Sequence, residues 1–179
     1  MERRNLFLRH IAQTSDEPLM LDVKEASGHY IYDTQDYAYF DLISGIAVSQ
    51  LGHKHPAVTE ALKTQVDHHW HVMVYGEFIQ EPQVQFARQL VSHLPDPLES
   101  IYFVNSGSEA VEGGLKLAKR YTGRGKVVAF GSAYHGSTNG ALSVSGGESL
   151  KRNFRPLVPG VQFRDFNDPE AVESITAET

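Results

Sequence analysis

Cysteine is absent from this 179-residue chain, and the chain has only one tryptophan and three methionines. The absence of cysteine excludes disulfide bonds, thiolate metal sites and cysteine nucleophiles. No apolar run approaches the roughly 20 residues that a membrane-spanning helix needs, so no membrane partner is predicted. The balance of 16 basic and 22 acidic residues gives a net charge of −6, which disfavours nucleic acid as a partner. These properties predict a cytoplasmic protein.

The content of 41% hydrophobic and 21% charged residues is typical of a folded globular chain. Three short runs rich in aromatic and β-branched residues lie between residues 19 and 40, separated by turn-like segments at 27–29 and 33–36. This pattern predicts a small antiparallel β-meander.

Beyond residue 95 the pattern changes to strands that alternate with helices. Apolar runs at 101–104, 126–130 and 161–163 predict strands, and this alternation is typical of an α/β layer with a mostly parallel sheet. Helices are predicted at 56–66, 82–94 and 110–121, and from Pro169 onward. We therefore expect residues 1–55 to belong to a small domain and residues 56–179 to form the first part of a larger one. Because a parallel sheet needs neighbours on both edges, we expect this α/β fold to be incomplete.

The segment from Asn105 to Glu109 joins a predicted strand to a predicted helix. Ser106 and Glu109 have the spacing of a capping box, which places Gly107 and Ser108 in the first helical turn. The N–H groups of that turn have no partner within the helix, and the helix dipole adds partial positive charge there. Gly107 leaves room for a ligand to approach, and Ser108 adds a hydroxyl. This arrangement favours a phosphate site, although a capping box by itself only starts a helix.

A second loop, residues 131–138, follows the next predicted strand and contains Tyr134 and His135. Ligands of open α/β sheets bind outside the carboxyl ends of strands, so both loops are expected at one edge. The ring of Tyr134 could stack on a flat heteroaromatic ligand, and His135 could orient it. A purely structural role for this loop is the alternative.

Several ordered motifs together resemble the class III aminotransferases, which are pyridoxal phosphate (PLP) enzymes of fold type I. The motifs are Asp41–Val48, Leu51–Pro56, Phe103–Glu112, Lys116–Arg120 and Tyr134–Gly136. The first two resemble the acetylornithine branch in particular. The chain is therefore identified as the N-terminal part of such an enzyme, and the expected fold class is α/β, a partial fold type I transferase.

The resemblance implies specific roles for residues of the two loops. Gly107 and Ser108 would bind the PLP phosphate, and Tyr134 would stack on the pyridine ring. The stretch 44–48 would lie near the substrate entrance. It also implies amino transfer between an amino donor, an ornithine derivative or an ω-amino acid, and a 2-oxo acid. A homodimer is expected, with weak support from apolar residues at 72–79.

Two features of the family pattern are missing or altered. The lysine that binds the PLP aldehyde and the aspartate that pairs with the pyridinium nitrogen have no counterpart in matching context, although the chain has seven lysines. PLP catalysis needs both groups, so no catalytic residue is assigned and the isolated chain is expected to be inactive. Ser137 stands where the acetylornithine branch has an arginine that holds a carboxylate, and serine cannot replace that clamp. The alternative to an enzyme is a standalone phosphate-binding α/β module.

Two further groupings of polar residues are assigned structural roles. His68, His69 and His71 invite a zinc hypothesis, but no metal site is predicted because the convergent ligands of a zinc centre are not apparent. Glu109 and Glu112 share a helix face, and capping and surface charge account for them.

Overall fold

The computed structural model describes residues 3–73 and 76–179. These residues form two compact units, Met1–Ile79 and Gln80–Thr179, each of which is described by itself. The predicted division into domains at residue 55 stays a prediction. Val74 and Tyr75, which belong to the apolar stretch 72–79, lie outside the described residues. No helix in the described ranges is long and apolar enough to cross a membrane.

The first unit contains the predicted antiparallel meander. Its elements are α1 (Arg3–His10), β1 (Val23–Ser27), β2 (Tyr30–Asp33), β3 (Ala38–Phe40), the one-turn α2 (Ser44–Ala47) and α3 (Pro56–His68). Strand β2 lies between β1 and β3, with Ala26 opposite Ile31 and Tyr30 opposite Phe40. The rings of Tyr30 and Phe40 meet edge to face with centroids 5.3 Å apart, a favourable cross-strand pair.

The second unit contains the parallel pair of strands. Its elements are α4 (Glu81–Val91), α5 (Gly107–Thr122), β4 (Val127–Phe130), α6 (Asn139–Val144), α7 (Glu148–Lys151), β5 (Val161–Arg164) and 3₁₀ helices at Arg152–Phe154 and Pro169–Ser174. Strands β4 and β5 run parallel, with Val127 opposite Val161 and Phe130 opposite Arg164. The prediction of strands at 126–130 and 161–163 is confirmed.

The strand predicted at 101–104 is wrong for this structure, because these residues have no regular secondary structure. Tyr102, Phe103 and Val104 are exposed. A strand exists only through hydrogen bonds to a neighbouring strand, and the described sheets pair other segments. The apolar run is therefore extended chain that leads into α5.

The most buried element of the second unit is α6, whose residues 140–144 are all buried. Its buried apolar side chains are Ala141, Leu142 and Val144, and Ala129 of β4 and Ala171 of the last 3₁₀ helix are buried as well. The loop that begins at Gly131 closes on itself where Gly146 N–H donates to Ala133 O at 2.8 Å. A Cβ at Gly146 would come within 2.7 Å of Gly131 Cα, so only glycine fits at this crossing.

This crossing generates a prediction about two adjacent glycines. Gly146→Ala should destabilise the protein by about 1–3 kcal/mol, the usual cost of overpacking, and lower its thermal unfolding midpoint. Gly147→Ala is the matched control, because a Cβ there would meet Leu150 Cδ1 at an ordinary 3.4 Å; its effect should stay within about 0.5 kcal/mol. Equal midpoints for the two variants would contradict the close crossing at Gly146.

Candidate functional site

Helix α5 begins with the predicted capping box. Ser106 Oγ accepts the Glu109 N–H at 3.2 Å, and Glu109 Oε2 accepts the Ser106 N–H at 3.0 Å. The same carboxylate oxygen accepts the Asn105 N–H at 2.7 Å. These bonds hold the loop in place before the helix. They satisfy the N–H groups of Asn105 and Ser106 before the first two helical residues and that of Glu109 after them.

Two N–H groups are left at the start of α5. Within the described part of the chain, the N–H groups of Gly107 and Ser108 donate to no other residue, as expected for a first helical turn. Gly107 is exposed, and a Cβ there would meet nothing within 4 Å. The helix end therefore offers two free donors, open space and the positive end of a dipole, which together suit an anion.

The second loop reaches this helix end. A Cβ placed on Gly136 would come within 2.8 Å of Ser108 Cβ and 3.1 Å of Ser108 Cα, so the backbone of Gly136 lies directly against Ser108. Gly136 has a φ of +121°, which also favours glycine. The structure thus brings together the two segments that contain the sequence-predicted site residues.

Tyr134 lies two residues before this contact and is 69% exposed. Its neighbour His135 is tied to the protein through its backbone, because its N–H donates to Ser145 Oγ at 3.0 Å. The ring of Tyr134 is thus available to a ligand, whereas the backbone that supports it is held in place.

Sequence reasoning missed the polar group behind this loop. Ser145 is fully buried, and its hydroxyl donates to Ala141 O at 2.9 Å while it accepts from His135. Lys151 is only 3% exposed; its Nζ donates to Ser145 O at 2.7 Å and lies 3.8 Å from the Phe163 ring centroid. No periodicity or motif marks a buried lysine of this kind, since its two partners come from separate segments, the end of α6 and β5.

Glu112 has a tertiary role that its sequence context did not indicate. Its Oε1 accepts the Gly140 N–H at 2.7 Å and the Ala141 N–H at 3.2 Å, so it caps α6 from a different helix. The Thr138 hydroxyl and these two N–H groups lower the pKa of Glu112. Each of these donors stabilises the charged form, so Glu112 is ionised at neutral pH.

The stretch 44–48, expected near a substrate entrance, belongs to the first unit. Ser44, Gly45, Ile46 and Ala47 all have φ between +52° and +64°, so α2 is a left-handed turn. Left-handed backbone costs roughly 1–2 kcal/mol for each residue other than glycine. The expected position near a substrate stays a prediction.

Asp41 supports this turn. Its carboxylate accepts the Ser44 N–H at 2.8 Å and the Ile43 N–H at 3.1 Å, and His53 Nε2 lies 2.8 Å from its other oxygen. The Ser44 N–H, followed by His53, lowers the pKa of Asp41. The side chain is nearly buried, so these bonds replace those that water would provide.

In the described part of the chain, the segment with His68, His69 and His71 contains no cluster of metal ligands. Among residues 3–73 and 76–179, no group of three or more histidine, aspartate or glutamate side chains is placed to hold a metal ion. Gln65 Nε2 lies 3.2 Å from His69 Nε2 and donates to His69 O at 3.0 Å. The side chain of Gln65 thus ties His69 to the last turn of α3.

Comparison with known proteins identifies relatives of this chain. Acetylornithine aminotransferase from Bacillus amyloliquefaciens is 40% identical over 158 residues, which are 88% of this chain and 67% of that protein. The acetylornithine aminotransferase of Bacillus subtilis is also 40% identical, over 88% of this chain and 40% of that protein. The chain thus spans about two fifths of the length of the latter relative.

A solved structure extends the likeness to the fold. Taurine:2-oxoglutarate aminotransferase from Bifidobacterium kashiwanohense, in complex with PLP and glutamate, matches with a TM-score of 0.80 and 28% identity. The match covers 96% of this chain and 39% of that one. The sequence model of the family Aminotransferase class-III matches residues 11–178. The fold is therefore part of a fold type I transferase, and the chain belongs to the class III aminotransferases.

Proposed function

We propose that the complete protein is a PLP-dependent aminotransferase that transfers an amino group from a donor to a 2-oxo acid. The observation that carries the proposal is the contact between Gly136 and Ser108. It joins an anion-binding helix end to an exposed aromatic ring, the two features that a phosphorylated pyridine requires. Membership of the class III family supports the same reaction.

The residues present fit PLP. The phosphate would accept the N–H groups of Gly107 and Ser108 together with the Ser108 hydroxyl, in the open space where a Cβ on Gly107 meets nothing. The exposed ring of Tyr134 would lie on the pyridine. When bound, PLP supplies a carbonyl that takes up the amino group and a ring that accepts an electron pair. The chain's own contribution is to hold the phosphate and to orient the ring.

The three site residues should differ in how much each contributes to PLP affinity. Gly107→Val places a branched side chain where the phosphate approaches and should cause the largest loss. Tyr134→Ala should be next, and Tyr134→Phe, which keeps the stacking face, should lose least. Ser108→Ala keeps the N–H and should cost about 1.5–3 kcal/mol, the range for one hydrogen bond to a charged group. Titration of the complete apoprotein with PLP measures these losses.

Gly114→Val is the matched control for this series. Gly114 lies on the same helix, and a Cβ there also meets nothing within 4 Å, but it is two turns from the phosphate end. Its PLP affinity should equal that of the wild type. Equal losses in Tyr134→Phe and Tyr134→Ala would show that the ring does not act by stacking.

The amino donor is proposed to be an ornithine derivative or an ω-amino acid. The relatives named acetylornithine aminotransferase support the first class. Ser137 supports a substrate carboxylate that is held differently from the arginine clamp of the acetylornithine branch. A neutral hydroxyl cannot form the bidentate pair that arginine makes with a carboxylate.

A panel of amino donors with 2-oxoglutarate as acceptor tests the function. The complete protein should change the absorbance of its bound PLP with at least one of N-acetylornithine, ornithine and 4-aminobutyrate. The 179-residue chain alone should show no turnover, because the lysine and aspartate implied by the family pattern are proposed to lie outside it. Binding of inorganic phosphate with no PLP binding by the complete protein would favour the alternative of a phosphate-binding module.

We also propose that the complete protein is a homodimer. The support is the number of apolar side chains left exposed in this chain, among them Leu42, Ile46 and Ile79, since large exposed apolar patches commonly mark interfaces. Sedimentation equilibrium at micromolar concentration should give twice the subunit mass. A monomeric mass with full activity would contradict the proposal.

A further inference from the structure

One face of helix α5 has two contacts, one with the second loop and one with the start of α6. Ser108 and Glu112 are four residues apart and therefore lie on the same side of the helix. Gly136 and Gly140, which they contact, are also four residues apart. A Cβ on Gly140 would come within 2.7 Å of Glu112 Cδ, so this contact is as close as that between Gly136 and Ser108.

The two contacts differ in kind. Gly136 against Ser108 is a steric contact, which limits how closely the loop can approach but does not hold it there. Glu112 is the attractive contact, because its carboxylate accepts two N–H groups at the start of α6. A charged acceptor forms hydrogen bonds about twice as strong as those of a neutral one. The carboxylate therefore holds the start of α6, and with it the end of the loop, against α5.

We infer that Glu112 is a positioning residue for the cofactor, which sets the placement of the Tyr134 ring relative to the donors of Gly107 and Ser108. This inference rests on the proposed function. Glu112 lies one helical turn beyond Ser108 and acts on the ligand through the loop. Without its carboxylate, α6 loses its cap and the backbone from Tyr134 to Gly140 is no longer held at a fixed distance from the phosphate end.

The roles of Glu112 and Gly140 can be separated by a double-mutant cycle in the complete protein. Glu112→Ala should weaken PLP binding roughly tenfold or more, as expected for the loss of charged hydrogen bonds. It should also alter the visible circular dichroism of the bound PLP at saturation, which reports the orientation of the ring. Gly140→Ala should weaken binding as well, because the added methyl displaces the Glu112 carboxylate. In the Glu112→Ala background the second substitution should have no further effect, so the two losses should not add.

Two further variants separate positioning from folding. Glu112→Gln has the same shape and retains one acceptor oxygen, so it should restore part of the affinity and of the dichroism. Glu173→Ala, which removes an exposed carboxylate from the same unit, should match the wild type in both. A purely structural role would lower the thermal midpoint while leaving the dichroism per bound PLP unchanged, and that result would overturn the inference.

The outcomes distinguish this inference from the proposed function. Full PLP affinity and unchanged dichroism in Glu112→Ala, with a wild type that binds PLP, would overturn the positioning role alone. Additive losses in the cycle would do the same. Absence of PLP binding by the wild-type protein would overturn the proposed function, and the positioning role with it.

Discussion

The close approach of the second loop and the start of α6 to one face of α5 is the constraint on which the candidate site depends. Gly136 allows the backbone to lie directly on Ser108, where a side chain would hold it away, and Gly140 leaves room for the carboxylate of Glu112. Protein interiors are packed closely enough that one added methyl group is felt. The chain therefore has glycine where the loop meets the helix, and a carboxylate to supply the attraction.

The opposite side of the loop is held by a buried polar group. Lys151 places its ammonium on the carbonyl of Ser145 and over the ring of Phe163. A buried charge is unfavourable unless polar or aromatic partners replace water, and here the partners belong to the end of α6 and to β5. The Ser145 hydroxyl then fixes the backbone of His135. The loop is thus held on both sides while Tyr134 projects from it, an arrangement that combines a rigid backbone with an accessible ring.

Local patterns predicted the elements that depend on near neighbours. The capping box placed the start of α5 correctly, because its bonds lie within four residues. The meander and the strands β4 and β5 were also predicted, since alternation and apolar runs between turns are local features. The run 101–104 has the same apolar character but is not a strand here. Strand formation needs a partner elsewhere in the chain, and a short apolar run contains no information about whether one is present.

The sequence by itself identified the family and pointed to Gly107, Ser108 and Tyr134 as candidate site residues, because each belongs to a short ordered motif. Only the tertiary structure decided that the two loops meet, and that they do so through Gly136 and Ser108. It also decided that Glu112 caps a different helix. The physical reason is the distance in sequence between the interacting residues. A cap within one helix depends only on spacing along the chain, whereas a carboxylate that caps a second helix depends on where the fold places the two helices.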